Sequence, residues 1–157
     1  MPRDETIEAA RATARALYEG KVTPHRSCGI AIAETFGRAT GPYQALRKGG
    51  ITGCGECGAV VGGRLVLGEL LGDPDPTGAV TPELRGAMVN FEAKVAERVD
   101  RGQGLVCNTL TAPFSEFRSP ERAAFCTTIA ATVAATVAEV ILGQDVGVDV
   151  HTLDGAD

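Results

Sequence analysis

The sequence has no tryptophan, and only two tyrosines and five phenylalanines among its 157 residues. With so few flat rings it lacks the stacking platforms that grip single-stranded nucleic acid. Positive charge is not in excess either: 15 Lys and Arg stand against 20 Asp and Glu, a formal net charge of -5. A general phosphate-binding face, and with it a nucleic-acid partner, is therefore not expected. The first residues, Met1 to Glu8, contain no apolar stretch of the signal-peptide kind, so a reducing cytoplasm is the expected compartment. Five cysteines, an odd number, in such a compartment argue against a disulfide framework. Metal ligation, redox chemistry or plain burial remain.

A long apolar run is present only once. Residues 123–142 carry a single charge, Glu139, but are built largely of Ala, Thr and Val. Membrane spans lean on Leu, Ile and Phe, so this segment reads as a tightly packed helix of a protein without a membrane partner. Ala130, Ala134 and Ala138 recur every four positions beside Ala131 and Ala135. Such small side chains let backbones approach closely. They suit a central core helix, and they also permit a homodimer seam.

What is there in quantity is helix punctuation. Ile7, Ala10, Ala14 and Leu17 form a stripe over residues 4–19, and Gly20 stops it. Ser27 is placed to cap a short helix through Ile30 and Phe36 that ends at Gly37. Residues 38–56 are glycine-rich and read as a loop. A third helix begins near Cys57 and ends at Gly72, before Asp73-Pro74-Asp75-Pro76. Thr81-Pro82 and Ser119-Pro120 both have the cap-then-proline form of a helix start. The first opens a helix through Leu84, Met88, Phe91, Val95 and Val99. The second opens the alanine-rich helix, which runs to Gly143. Between them lies a short apolar piece, residues 105–110. The expectation is an all-α, single-domain bundle of about five helices over residues 1–143, with a glycine-rich loop carrying CxxC. Residues 144–157 form a tail, either a short strand through Val146, Val148 and Val150 or a disordered end.

The chemistry is expected at the cysteines. Cys54-Gly55-Glu56-Cys57 is a CxxC element where a glycine-rich loop enters a helix. Backbone N–H groups at a helix start favour negative charge, which lowers a thiol's pKa and suits a redox thiol or a metal ligand. Gly58 follows where c-type haem attachment needs His, so that chemistry is excluded. Cys28 and Cys107 also fall at or near helix starts, and Cys126 lies one to two turns into the last helix. Thiolates at Cys28, Cys54, Cys57, Cys107 and Cys126 are the candidate metal ligands, since soft thiolates bind iron–sulfur clusters or zinc. Gly55, Gly58 and Ala59 are the candidate cofactor-contacting backbone. His25, three residues before Cys28, is either a ligand or solvated. Asp145, Asp149, His151 and Asp154 read as a solvated acidic tail, and Glu56 as a solvated loop carboxylate. Gly53 to Gly58 also satisfies G-x-G-x-x-G, but no strand precedes it, so a dinucleotide site is not expected.

Ordered along the chain, these motifs carry a resemblance. Residues 14–20 (ARALYEG) are followed by Cys28-Gly29-Ile30-Ala31. Then come residues 55–63 (GECGAVVGG), Phe91-Glu92-Ala93-Lys94, Cys107-Asn108-Thr109-Leu110, and Cys126 on an Ala/Val-rich helix. The chain resembles, over about residues 9–142, the redox-active proteins named for their C-GCAxxG-C-C pattern, which are similar to the non-haem domain of split-Soret cytochromes. The resemblance implies a helical, often dimeric protein whose pattern cysteines, here Cys28, Cys57, Cys107 and Cys126, form a redox or iron–sulfur site. Here the central element reads Cys-Gly-Ala rather than Gly-Cys-Ala, and Cys54 is an additional thiol. Three functions follow as expectations. The first is a [2Fe–2S] or [4Fe–4S] protein for electron transfer or redox sensing, working with a redox partner protein. The second is a metal-free thiol–disulfide oxidoreductase using Cys54 and Cys57. The third is a structural zinc module for assembly. The cluster uses most of the cysteines, whereas the dithiol leaves three unexplained and the zinc site lacks two close pairs.

Overall fold

A computed structural model describes residues 1–156. Seven helices follow one another: α1 Arg3–Glu19, α2 Cys28–Thr35, α3 Arg47–Gly50, α4 Gly58–Leu71, α5 Pro82–Val95, α6 Cys107–Thr111 and α7 Pro120–Leu142. A 3-10 turn, Gly41–Leu46, precedes α3, and α5 ends in a wide π turn, Ala96–Asp100. There is no strand among the described residues; Glu56 and Val106 form one isolated antiparallel bridge. The all-α expectation holds, with two helices more than the sequence announced. The extra ones are short: α3 is a four-residue turn in which Lys48 and Gly49 hold left-handed rather than α-helical angles, and α6 has five residues, too few to leave a hydrophobic period.

The caps explain the helix limits. Thr81 accepts the Leu84 N–H and Ser119 accepts the Arg122 N–H, each with proline at the first helical position. Gly20 closes α1 in the left-handed conformation, φ 75°. Ser27 differs from expectation: it holds the capping position, but its hydroxyl makes no cap bond and its oxygen is buried without a partner. The loop expected over residues 38–56 is more ordered than its composition indicated. The tail is neither strand nor detached. Val146, Val148 and Val150 pack against the core, and the His151 N–H donates to the Thr35 carbonyl at 2.8 Å.

Helix α7 is the axis of the fold. It packs along α1 and also against α2, α4 and α5. By length and composition it could cross a membrane, but 67% of its most apolar window is buried inside the protein. Ala130, Ala131, Ala134, Ala135 and Ala138 are all buried within the chain. The alanine face is thus spent on the core, chiefly where α1 presents its own small residues Ala10, Thr13 and Ala14. Phe91, Leu67, Val133 and Val137 fill the space between α4, α5 and α7; burying each such side chain stabilises by about 1.5–3 kcal/mol.

The contact that matters for the site is α2 on α4. A Cβ on Gly62 would stand 3.2 Å from the Gly29 Cα, and one on Gly29 would stand 3.0 Å from the Gly58 carbonyl oxygen. Only glycine permits backbones this close, and the approach brings the starts of both helices together.

Candidate functional site

Three helix starts and one helix side meet at a single cavity. Cys28 is the first residue of α2, Cys57 the N-cap of α4, and Cys107 the first residue of α6. Cys126 projects from the second turn of α7. All four line one cavity of about 180 Å³, against the roughly 10–15 Å³ that a single water requires. Cys54 does not belong to it: its side chain is exposed, with the sulfur 3.9 Å from the Thr52 carbonyl oxygen. As a candidate ligand Cys54 therefore stands apart from the other four.

Backbone pairing sets Cys57 beside Cys107. The Cys57 N–H donates to Leu105 at 2.7 Å, Cys107 donates back to Gly55 at 2.9 Å, and Asn108 donates to Gly53 at 2.9 Å. The strap so formed is braced from below by α3, where Gly55 donates to the Gly49 carbonyl at 2.9 Å. Gly49 sits in the left-handed region, φ 59°, and a Cβ there would lie 2.4 Å from the Cys107 Cβ. Glu56 is not the free loop carboxylate expected of it. Arg64 of α4 holds it at 2.7 Å while gripping Glu92 of α5 at 2.6 and 3.1 Å. The CxxC loop is therefore tied to two helices.

Of the cofactor-contacting backbone expected at Gly55, Gly58 and Ala59, Gly58 lines the cavity. The Ala59 N–H, with that of Val60, serves the Cys57 sulfur. Gly55 instead uses its backbone in the strap. The G-x-G-x-x-G run precedes α4 with no strand before it, so the dinucleotide context is absent among the described residues.

The electrostatics differ from thiol to thiol. Proton sharing with the neighbouring Cys28 thiol, helped by the N–H groups of Val60 and Ala59 against the opposing effect of burial, brings Cys57 down to about 7. Its partner pays the converse: keeping the shared proton, together with burial, holds Cys28 well above the ordinary thiol range. Burial raises Cys107 and Cys126, and neighbouring thiols add to both. Hydrogen bonds from Arg122 and Tyr18 act the other way on Cys126. Four thiols packed this way cannot all ionise unless positive charge stands among them.

Apart from His25, which the sequence already placed near Cys28, the rest of the wall carried little sequence signal. The Tyr18 hydroxyl accepts from Arg122 at 2.6 Å, across α1 and α7. His25 also lines the cavity, with its ring edge-on to Tyr18 at 4.7 Å and Nδ1 on the Tyr18 carbonyl oxygen. Phe117 lies between two cations, with Lys48 Nζ 4.9 Å and the Arg122 guanidinium 4.1 Å from its ring centre. One signal for Arg122 was legible: it stands four residues before Cys126, hence on the same helix face.

The donor chemistry, four soft thiols lining one space with backbone donors at hand, is the kind that iron–sulfur clusters use, and the wall around it mixes Leu110, Phe125 and Ile129 with Arg47, Lys48 and Arg122. A single tetrahedral zinc ion would need sulfurs within ~3.8 Å of each other. Among the described residues no three Cys, His, Asp or Glu side chains converge tightly enough to hold one metal ion.

No protein-family model matches the chain, and no curated protein or solved structure is significantly similar to it.

Proposed function

We propose that Cys28, Cys57, Cys107 and Cys126 hold an iron–sulfur cluster that serves electron transfer or redox sensing. The observation that carries this reading is the gathering of four cysteines, from four separate segments, around one cavity that leaves the fifth outside. The sequence resemblance to the C-GCAxxG-C-C redox proteins points to the same four positions. When bound, such a cluster supplies reversible one-electron transfer.

The chain's own part is to bind, shield and tune. The close α2–α4 approach and the 53–57/105–108 strap set the directions of Cys28, Cys57 and Cys107 before any ligand arrives. The N–H groups of Ala59 and Val60 stabilise negative charge on the Cys57 sulfur, and Arg122 and Tyr18 do so at Cys126. Such donors raise a cluster's potential by favouring the more reduced, more negative state. Leu110, Phe125 and Ile129 limit water at the wall.

The test is anaerobic purification, followed by the visible spectrum and by iron and sulfide analysis. Broad absorption over roughly 320–460 nm, bleached by dithionite, is expected. Single Cys→Ala changes at 28, 57, 107 and 126 should each diminish it, and Cys54→Ala should not. Protein that stays colourless and iron-free after anaerobic reconstitution would refute the reading.

A second reading rests on the Cys28–Cys57 contact. In a metal-free thiol–disulfide oxidoreductase the Cys57 thiolate would attack a disulfide, releasing one thiolate. Cys28 would then displace the other and close a Cys28–Cys57 bond, two electrons passing to the substrate. In this geometry Cys28, not Cys54, is the thiol next to Cys57. Rapid reduction of a model disulfide by iron-free protein, abolished by Cys28→Ala and unaffected by Cys54→Ala, would support it.

A further inference from the structure

The charge around the thiol cavity runs against the charge of the chain. Acidic residues outnumber basic ones overall, yet the cavity wall contains Arg47, Lys48 and Arg122 and no Asp or Glu. Ion pairs occupy eight of the chain's 15 cations, and among the described residues none of the three wall cations has a carboxylate partner, as is also true of Arg15, Arg85, Arg101 and Arg118 outside the wall. Arg47 and Lys48 are exposed, so they stand at the opening. Lys48 and Arg122 flank the ring of Phe117, which is itself 37% exposed. Unpaired cations at the rim of a low-dielectric cleft concentrate anions there and speed their arrival.

We propose that this rim selects small anionic reaction partners, molecules bearing a carboxylate or phosphate group, over neutral ones of the same shape. The inference concerns access to the cavity thiols and does not depend on a cluster. It can fail while the cluster reading stands, and the reverse.

The test uses reduced, metal-free, full-length protein carrying Cys54→Ser, so that only the cavity thiols report. Two aryl disulfides are compared, dianionic dithiobis(nitrobenzoate) and neutral dithiodipyridine. With either one, a protein thiolate attacks a sulfur of the reagent. The reagent's S–S bond breaks, a protein–aryl disulfide forms, and the other half leaves with the electron pair, as the coloured nitrothiobenzoate thiolate from the first reagent and, after taking a proton on nitrogen, as ultraviolet-absorbing thiopyridone from the second. The readout is the ratio of the two initial rates, which cancels the intrinsic reactivity of the protein thiol.

At rim distances a cation and a carboxylate in water change an encounter about twofold per charge pair at low ionic strength. The double variant Arg47→Gln/Lys48→Gln removes two such pairs for each carboxylate within reach and should therefore lower the anionic-to-neutral ratio about fourfold or more. Neutralising Arg85 and Arg101, which lie outside the cavity wall, should leave it unchanged. In the unmodified rim, raising salt from about 10 mM to about 500 mM should produce the same decline, a measurement that needs no rim variant to fold. A ratio that responds to neither the rim variant nor salt, or that falls equally with the Arg85/Arg101 control, would overturn the proposal.

Discussion

Gly49 is the sharpest lever on the site, and Gly49→Ala tests the geometry directly. Two costs apply. The left-handed backbone, φ 59°, costs an L residue about 1–2 kcal/mol. The new methyl would also stand 2.4 Å from the Cys107 Cβ and 2.8 Å from the Gly55 carbonyl oxygen. Neither is the end of a flexible side chain, so the strap itself must shift, and forced overpacking adds about 1–3 kcal/mol. Gly37→Ala is the matched control: its φ is 65°, and nothing lies within 4 Å of the added atom. The backbone cost and the unfolded-state entropy gain are common to both variants and cancel in the difference. In a domain of this size 1 kcal/mol moves Tm by about 2–4 °C, so Gly49→Ala should melt about 5 °C below Gly37→Ala. Thermal unfolding followed by circular dichroism gives the difference, and the alkylation rate of Cys107, read by mass spectrometry, should rise only in the Gly49 variant. Equal melting temperatures and equal Cys107 labelling would mean that α3 does not brace the strap, and the account of how Cys57 meets Cys107 would fail.

Other perturbations probe other links. In metal-free protein the alkylation rate of Cys57 should rise with pH around a midpoint near 7. Cys28→Ala removes the proton sharing that stabilises this thiolate, so the midpoint moves up and the rate at neutral pH falls roughly tenfold; a midpoint that stays put or moves down would refute the pairing. Thr81→Ala and Ser119→Ala should each cost about 1 kcal/mol, because their oxygens accept helix N–H groups. Ser27→Ala should cost almost nothing, since its hydroxyl caps nothing; urea midpoints compare the three. Arg64→Met frees Glu56 and Glu92 together and should cost about 1 kcal/mol, part of it lost at high salt.

The fold was legible where local chemistry and long-range packing agree. Thr81-Pro82, Ser119-Pro120 and Gly20 mark helix ends through their own backbone preferences, and each helix end lies where they put it. Ser27 shows the limit. The residue type fits a cap, but position alone does not aim the hydroxyl, and here it turns into the cavity wall. The tail departs from its sequence for a related reason: alternating valines form a strand only where a partner strand exists, and this chain offers none among the described residues. They pack on the core instead.

The site was half legible, and the division has a physical cause. Three of its thiols sit at helix starts, a local property that punctuation reveals, so Cys28, Cys57 and Cys107 could be grouped before their convergence was known. What brings them together is distributed: glycines that thin the α2–α4 contact, a turn with positive φ under the strap, and Arg64 tying the loop to α5. In the sequence glycines mark helix ends and loops, whereas Gly29, Gly58 and Gly62 act in three dimensions, as missing side chains between two backbones. The same distinction separates Cys57 from Cys54. The CxxC spacing treats them as equals, but the strap fixes only residue 57 by its own N–H to Leu105, and the helix that follows turns its sulfur inward beside Cys28. A thiol's chemistry here is set less by the cysteine three residues away than by the one that the α2–α4 contact places opposite it.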